Sequence, residues 1–104
     1  MIKIFIKKEL DRIKYIKIKG HANYDELGKD IVCAAVSSTV LTTINGIFKI
    51  NQNYLTSYQE KEQLIINILK NDQILNKLII NMIDLLKELE VNYPNNIKII
   101  EEVL

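Results

Sequence analysis

The chain has 104 residues, is 48% hydrophobic and 26% charged, and carries a formal net charge of +1. That length makes one domain whose core stands without disulfides, and the hydrophobic content excludes intrinsic disorder. One cysteine excludes an internal disulfide and suits a reducing compartment.

Residues 2–8 alternate, with Ile2, Ile4 and Ile6 on one face and Lys3, Phe5 and Lys7 on the other. This is strand periodicity. It recurs over 12–19, where Ile16 and Ile18 oppose Lys17 and Lys19, and the intervening Glu-Leu-Asp fits a hairpin connection. The same N-terminal stretch lacks the apolar run and cleavage site of a signal peptide. No segment approaches eighteen consecutive apolar residues, so no membrane span is expected, and a cytoplasmic protein with no membrane partner is the expectation.

Residues 20–29 read as a polar loop with Gly20 and Gly28 near its ends. Residues 30–50 read as a helix capped by Asp30. Its apolar surface is broad enough to imply a largely buried helix, with Gly46 marking a frayed end. Residues 53–59 and 63–69 form a second strand pair, whose better apolar face is Leu64, Ile66 and Ile68. Residues 72–91 give the clearest helix: Leu75, Leu78, Ile79, Met82, Leu85, Leu86 and Leu89 recur at helical spacing. Asn71 or Asp72 caps it, and Asn92 and Pro94 end it. Residues 97–103 are a last strand. The order ββαββαβ predicts a single α+β domain over 1–104, with two helices packed on a mixed or mostly antiparallel sheet.

Charge is unevenly spread. Residues 1–20 hold seven basic side chains and two acidic ones. Such a basic hairpin suits RNA or an acidic partner. The plainer reading, adopted here, is that the lysines line the wet face of a half-buried sheet, so a nucleic-acid partner is not expected. No glycine-rich phosphate loop is present. One histidine and one cysteine do not make a structural zinc site, and no metal or cofactor is expected.

The stretch with most chemistry is 20–38, GHANYDELGKDIVCAAVSS. It holds the only histidine, His21, and the only cysteine, Cys33, the minimal parts for a cysteine nucleophile. If Asp30 caps the helix, Cys33 is its third residue, where free N–H groups and the helix dipole favour a thiolate. Asp30, Cys33 and Ser37 then share one face. Ser37 suits a substrate carbonyl or the thiolate, and equally a bond back to the preceding turn. Asp30 suits capping, with orientation of His21 as a second role. Taken singly, Cys33 would be a small core residue and His21 a solvated loop residue.

As a string, the stretch resembles the signature of the ribosomal-processing cysteine proteases, the bacterial Prp family. The pattern is Gly-His-Ala, a variable loop, Gly-x-Asp-x-Val-Cys, then Ala-Ala and a serine, and Gly20, His21, Gly28, Asp30, Cys33 and Ser37 all match it. The resemblance implies a homodimeric endopeptidase with Cys33 as nucleophile and His21 as general base. It implies trimming of the N-terminal extension of large-subunit ribosomal protein number twenty-seven after an aromatic residue. It also implies a loop that moves when substrate binds, for which Gly20 and Gly28 would be hinges. The competing readings are a non-enzymatic ribosome or RNA accessory module using the basic hairpin, and a redox-sensing thiol.

Overall fold

The computed structural model describes residues 1–26 and 30–104. The elements run β1 (Ile2–Glu9), β2 (Arg12–Lys19), α1 (Ile31–Ile50), β3 (Leu55–Glu60), β4 (Gln63–Ile68), α2 (Gln73–Asn92) and β5 (Ile97–Val103). This is the ββαββαβ order read from periodicity. The strands form one sheet in the order β3-β4-β2-β1-β5. β1–β2, β2–β4 and β3–β4 pair antiparallel, and β1–β5 pairs parallel, so the sheet is mixed.

Alternation decides which face is covered. Ile2, Ile4, Ile6, Ile16, Ile66, Ile68 and Ile97 are buried in one cluster with Val32, Val36, Val40, Ile44 and Ile47 of α1 and Leu75, Ile79, Met82, Ile83 and Leu86 of α2. Both helices therefore lie on one side of the sheet, and the other side faces water. Such one-sided burial is open to a largely antiparallel sheet. Burial at about 1.5–3 kcal/mol per large aliphatic side chain makes this cluster the main stabilising feature.

Three local expectations are corrected. α1 is not largely buried: it sinks a single stripe, Val32-Val36-Val40-Ile44-Ile47, and leaves Ile31, Leu41 and Ile50 exposed. By length and composition this helix is apolar enough to cross a membrane; in the fold, its stripe packs into the core instead. Gly46 does not end the helix, which runs on to Ile50 and stops where the Asn51 N–H donates to the Ile47 carbonyl. β3 begins at Leu55 because Asn51 first makes a turn, its side-chain oxygen accepting from the Asn53 N–H at 2.8 Å and its carbonyl from the Tyr54 N–H at 3.3 Å.

The β1–β2 connection is tighter than expected. Glu9 pairs with Arg12, leaving only Leu10 and Asp11 in the turn, with φ of +51° and +61°. Two positive φ values make a type I′ turn, which favours Asn-Gly. Left-handed backbone costs a non-glycine residue about 1–2 kcal/mol. Leu10 is 92% exposed, so its side chain offsets none of that cost by burial. Replacing Leu10→Asn together with Asp11→Gly should therefore stabilise the fold by about 1 kcal/mol or more, raising the thermal midpoint by roughly 4–8 °C. An unchanged or lower midpoint in calorimetry would show that the turn is not strained.

Candidate active site

The site grows from Asp30. Its backbone is extended, and Oδ1 accepts the N–H groups of Val32 at 2.9 Å and Cys33 at 3.0 Å, two of the N–H groups a helix start leaves without partners. Oδ2 accepts the N–H groups of Tyr24 at 3.0 Å and Asp25 at 3.4 Å. One carboxylate thus caps α1 and ties down the chain that follows β2. Asp30 is the one buried polar residue of the described chain, 8% exposed. Burial pushes its carboxyl upward, but the N–H groups of Cys33, Tyr24, Asp25 and Val32 outweigh it and hold the group below the usual carboxylate range.

Cys33 is the third residue of α1, half-buried and packed on the core. Its Sγ accepts the N–H of Ala22 at 3.3 Å. Ala22 is itself buried, and its carbonyl accepts from Asn96 Nδ2 at 2.9 Å. Tyr24 stacks edge-on against Tyr93 with centroids 5.4 Å apart. Residues 22–25 are therefore better held than a polar loop with few apolar contacts should be.

His21 leads into this segment. Its side chain is about half exposed, and Nε2 lies 3.7 Å from Glu62 Oε2 in the β3–β4 turn. His21, Asn23, Asp25, Asp30, Cys33, Ala34 and Ser37 line one open cleft of about 440 Å³. The fold therefore brings His21, Cys33, Asp30 and Ser37 together. Among the described residues no hydrogen bond joins His21 to Cys33 or to Asp30; both oxygens of Asp30 serve backbone. Ser37 makes no hydrogen bond among them either. The bond back along the helix is made instead by Thr39 to Ala35 at 2.8 Å and by Thr43 to Thr39 at 2.9 Å, so the Ser37 hydroxyl remains free to face the cleft.

Gly20 sits where the chain leaves β2. Its φ is +92°, and a Cβ there would collide with the Met1 carbonyl oxygen. It is a turn held against the chain start, where only glycine fits. Gly28 lies outside the described residues. A larger cavity, about 590 Å³, lies between the β1–β2 turn and α2 at the opposite end of the hairpin and contains none of these residues.

Three contributors escape a reading of the local string. Glu62 and Asn96 are far from it in sequence, and the Ala22 N–H is backbone. Only the chain Gly-His-Ala, with alanine buried beside the thiol, hints at the last.

A family model described as cysteine protease Prp matches residues 1–98. No curated protein matches the chain. Among solved structures, the chain is similar to an essential ribosomal processing protease Prp from S. aureus in complex with a covalently linked product peptide, with a TM-score of 0.92 and 23% identity over 98% of this chain and 100% of that one. The same S. aureus protease in complex with a substrate peptide gives 0.86 and 22%, over 98% and 100%. A Streptococcus mutans protein gives 0.81 and 21%, over 100% and 96%. These structural likenesses establish the fold.

The Asp30 geometry predicts a pH effect. The unfolded carboxyl titrates near its ordinary value of 3.8, and the folded one lower. Its contribution to stability is then complete above the unfolded value and is lost as pH falls through the folded one. Asp30→Asn keeps an oxygen for capping but loses an acceptor for Tyr24 and Asp25. The variant should be less stable at neutral pH, and its deficit should shrink as pH drops below about 4. A deficit constant across acid titration, followed by urea unfolding, would contradict this.

Proposed function

This chain belongs to the cysteine protease Prp family, and from that premise we propose that it is a cysteine endopeptidase in which Cys33 is the nucleophile and His21 the general base. The observation that carries the reading is the position of Cys33: third in a capped helix, in the cleft His21 lines, with a backbone N–H donated to its sulfur.

The chemistry is acyl transfer. His21 takes the thiol proton, and Sγ attacks the scissile carbonyl carbon. The amide C–N bond breaks as the imidazolium gives its proton to the leaving amine. Water then splits the thioester, releasing a carboxylate and restoring the thiol. The ring already lines the cleft; catalytic contacts of this kind commonly tighten only with substrate bound.

The oxyanion needs donors. At the helix start, the N–H groups of Val32 and Cys33 are taken by Asp30, and that of Ala34 bonds the Asp30 carbonyl at 3.1 Å. The Ala22 N–H is the better candidate, since it already points at the sulfur to which the carbonyl carbon bonds. Asn96 holds that peptide from its carbonyl side. Ser37 is a second donor on the same wall.

The substrate in this reading is the N-terminal extension of large-subunit ribosomal protein number twenty-seven, cut after an aromatic residue. Support comes from the family signature and from likeness to a protein solved with a substrate peptide. The enzyme acts in the cytoplasm, where a lone thiol stays reduced, and works as a homodimer.

Cys33→Ala should abolish cleavage of a peptide spanning such an extension, with the thermal midpoint within a few degrees of wild type. His21→Ala should slow cleavage by about 10²-fold or more. Alkylation of Cys33, the only thiol, should be slower in His21→Ala than in the wild type at neutral pH. Cleavage retained without Cys33, or identical alkylation rates, would overturn the assignment.

A further inference from the structure

The helix-free face of the sheet carries a pattern that protease chemistry does not use. Pairing register sets its side chains in rows across all five strands. Tyr58, Ile65, Lys17, Phe5 and Ile100 form the central row. Beside it run Gln63, Lys19, Lys3 and Lys98, and on the other side Tyr15, Lys7 and Glu102.

Two features go beyond a wet sheet face. The first is charge. Lys3, Lys7, Lys17, Lys19 and Lys98 face outward, and among the described residues none of them is in an ion pair. The acidic side chains on the face, Glu60 and Glu102, lie on its two edge strands. The second is aromatic surface among the cations. Lys17 and Lys19 place their ammonium groups 4.8 and 5.5 Å from the Phe5 ring centre, and Lys7 sits 5.1 Å from that of Tyr15. Tyr58 is 48% exposed at one end of the row, while Ile65 beside it is 7% exposed.

We propose that this face is a docking surface for single-stranded RNA. Unpaired lysines track a phosphate backbone, and aromatic rings on three strands stack its bases: Tyr58, already exposed, and Phe5 and Tyr15 once the lysines over them move aside. A base arriving on Phe5 replaces an ammonium on the ring and releases that ammonium to a phosphate. Five strands at about 4.8 Å spacing give a row roughly 19 Å long, enough for a few extended nucleotides. An acidic peptide would satisfy the lysines but leave the rings unused. The choice of RNA over DNA rests on the proposed substrate, which lies within a ribosomal subunit.

The test is fluorescence anisotropy of a short labelled oligouridylate with full-length Cys33→Ala protein, so that binding is read without peptide cleavage. Saturable binding should weaken with salt, with a log–log slope between about −2 and −4. Lys3→Gln with Lys17→Gln should make that slope shallower by about 1.4. Tyr58→Ala should weaken binding between about fivefold and a hundredfold, and its thermal midpoint confirms folding. Three results would overturn the proposal: no saturable binding at low salt; equal affinity for oligothymidylate or polyglutamate and no effect of Tyr58→Ala, which is bare polyanion attraction; or self-association lost in the lysine variant, which makes the face an interface between copies. Peptide cleavage by the wild-type protein is scored separately, so either reading can fail alone.

Discussion

One carboxylate holds the candidate site together. Asp30 accepts four backbone N–H groups, two from the first turn of α1 and two from the segment after β2. Neither set has a partner in regular structure. Without the carboxylate, the helix start would lack its cap and residues 24–25 would lose their tie to it. Because both segments meet on one group, the thiol of Cys33 and the backbone of Ala22 are set against each other. The cleft is a consequence of that junction, with Asn96 and Tyr93 bracing it from the end of α2.

The sheet divides the molecule's tasks. Its isoleucine face makes the core, and its lysine and aromatic face remains open. The exposed edge at β5 is restrained by α2: the Glu90 carboxylate accepts the Ile99 N–H at 2.6 Å, removing a donor that could template pairing with another chain. Glu101 joins Lys87 of α2 at 2.8 Å and Lys8 of β1 at 3.3 Å. The bond from Glu101 keeps the Lys87 ammonium above its usual range, and the same bond lowers Glu101. The edge strand is therefore clamped to both its neighbours, away from the cleft.

What the sequence disclosed follows from how local each signal is. Period-two isoleucines and the Leu75–Leu89 stripe gave elements within a residue or two, because periodicity is a property of one segment. The Asp30 cap was legible for the same reason. α1 was misread because composition counts apolar residues without saying which face meets the core: Ile31 and Leu41 are as apolar as Val36, yet they point outward. Gly20 carries a constraint that no local pattern records, since its close approach is to Met1, nineteen residues earlier. Glu62 and Asn96 reach the site through the β3–β4 turn and the α2–β5 junction, and no local pattern records such meetings. That Asp30 already occupies the helix-start N–H groups of Val32 and Cys33 also became visible only in the bonds themselves.

The central claim is that the residue held at the capped helix start forms the covalent bond to substrate. Rapid acid quench of the protein with an extension peptide, followed by intact and peptide-level mass spectrometry, tests it most directly. An acyl adduct should accumulate on Cys33 and decay with the appearance of product. Cleavage proceeding with no adduct at any time, or an adduct on any other residue, would contradict it.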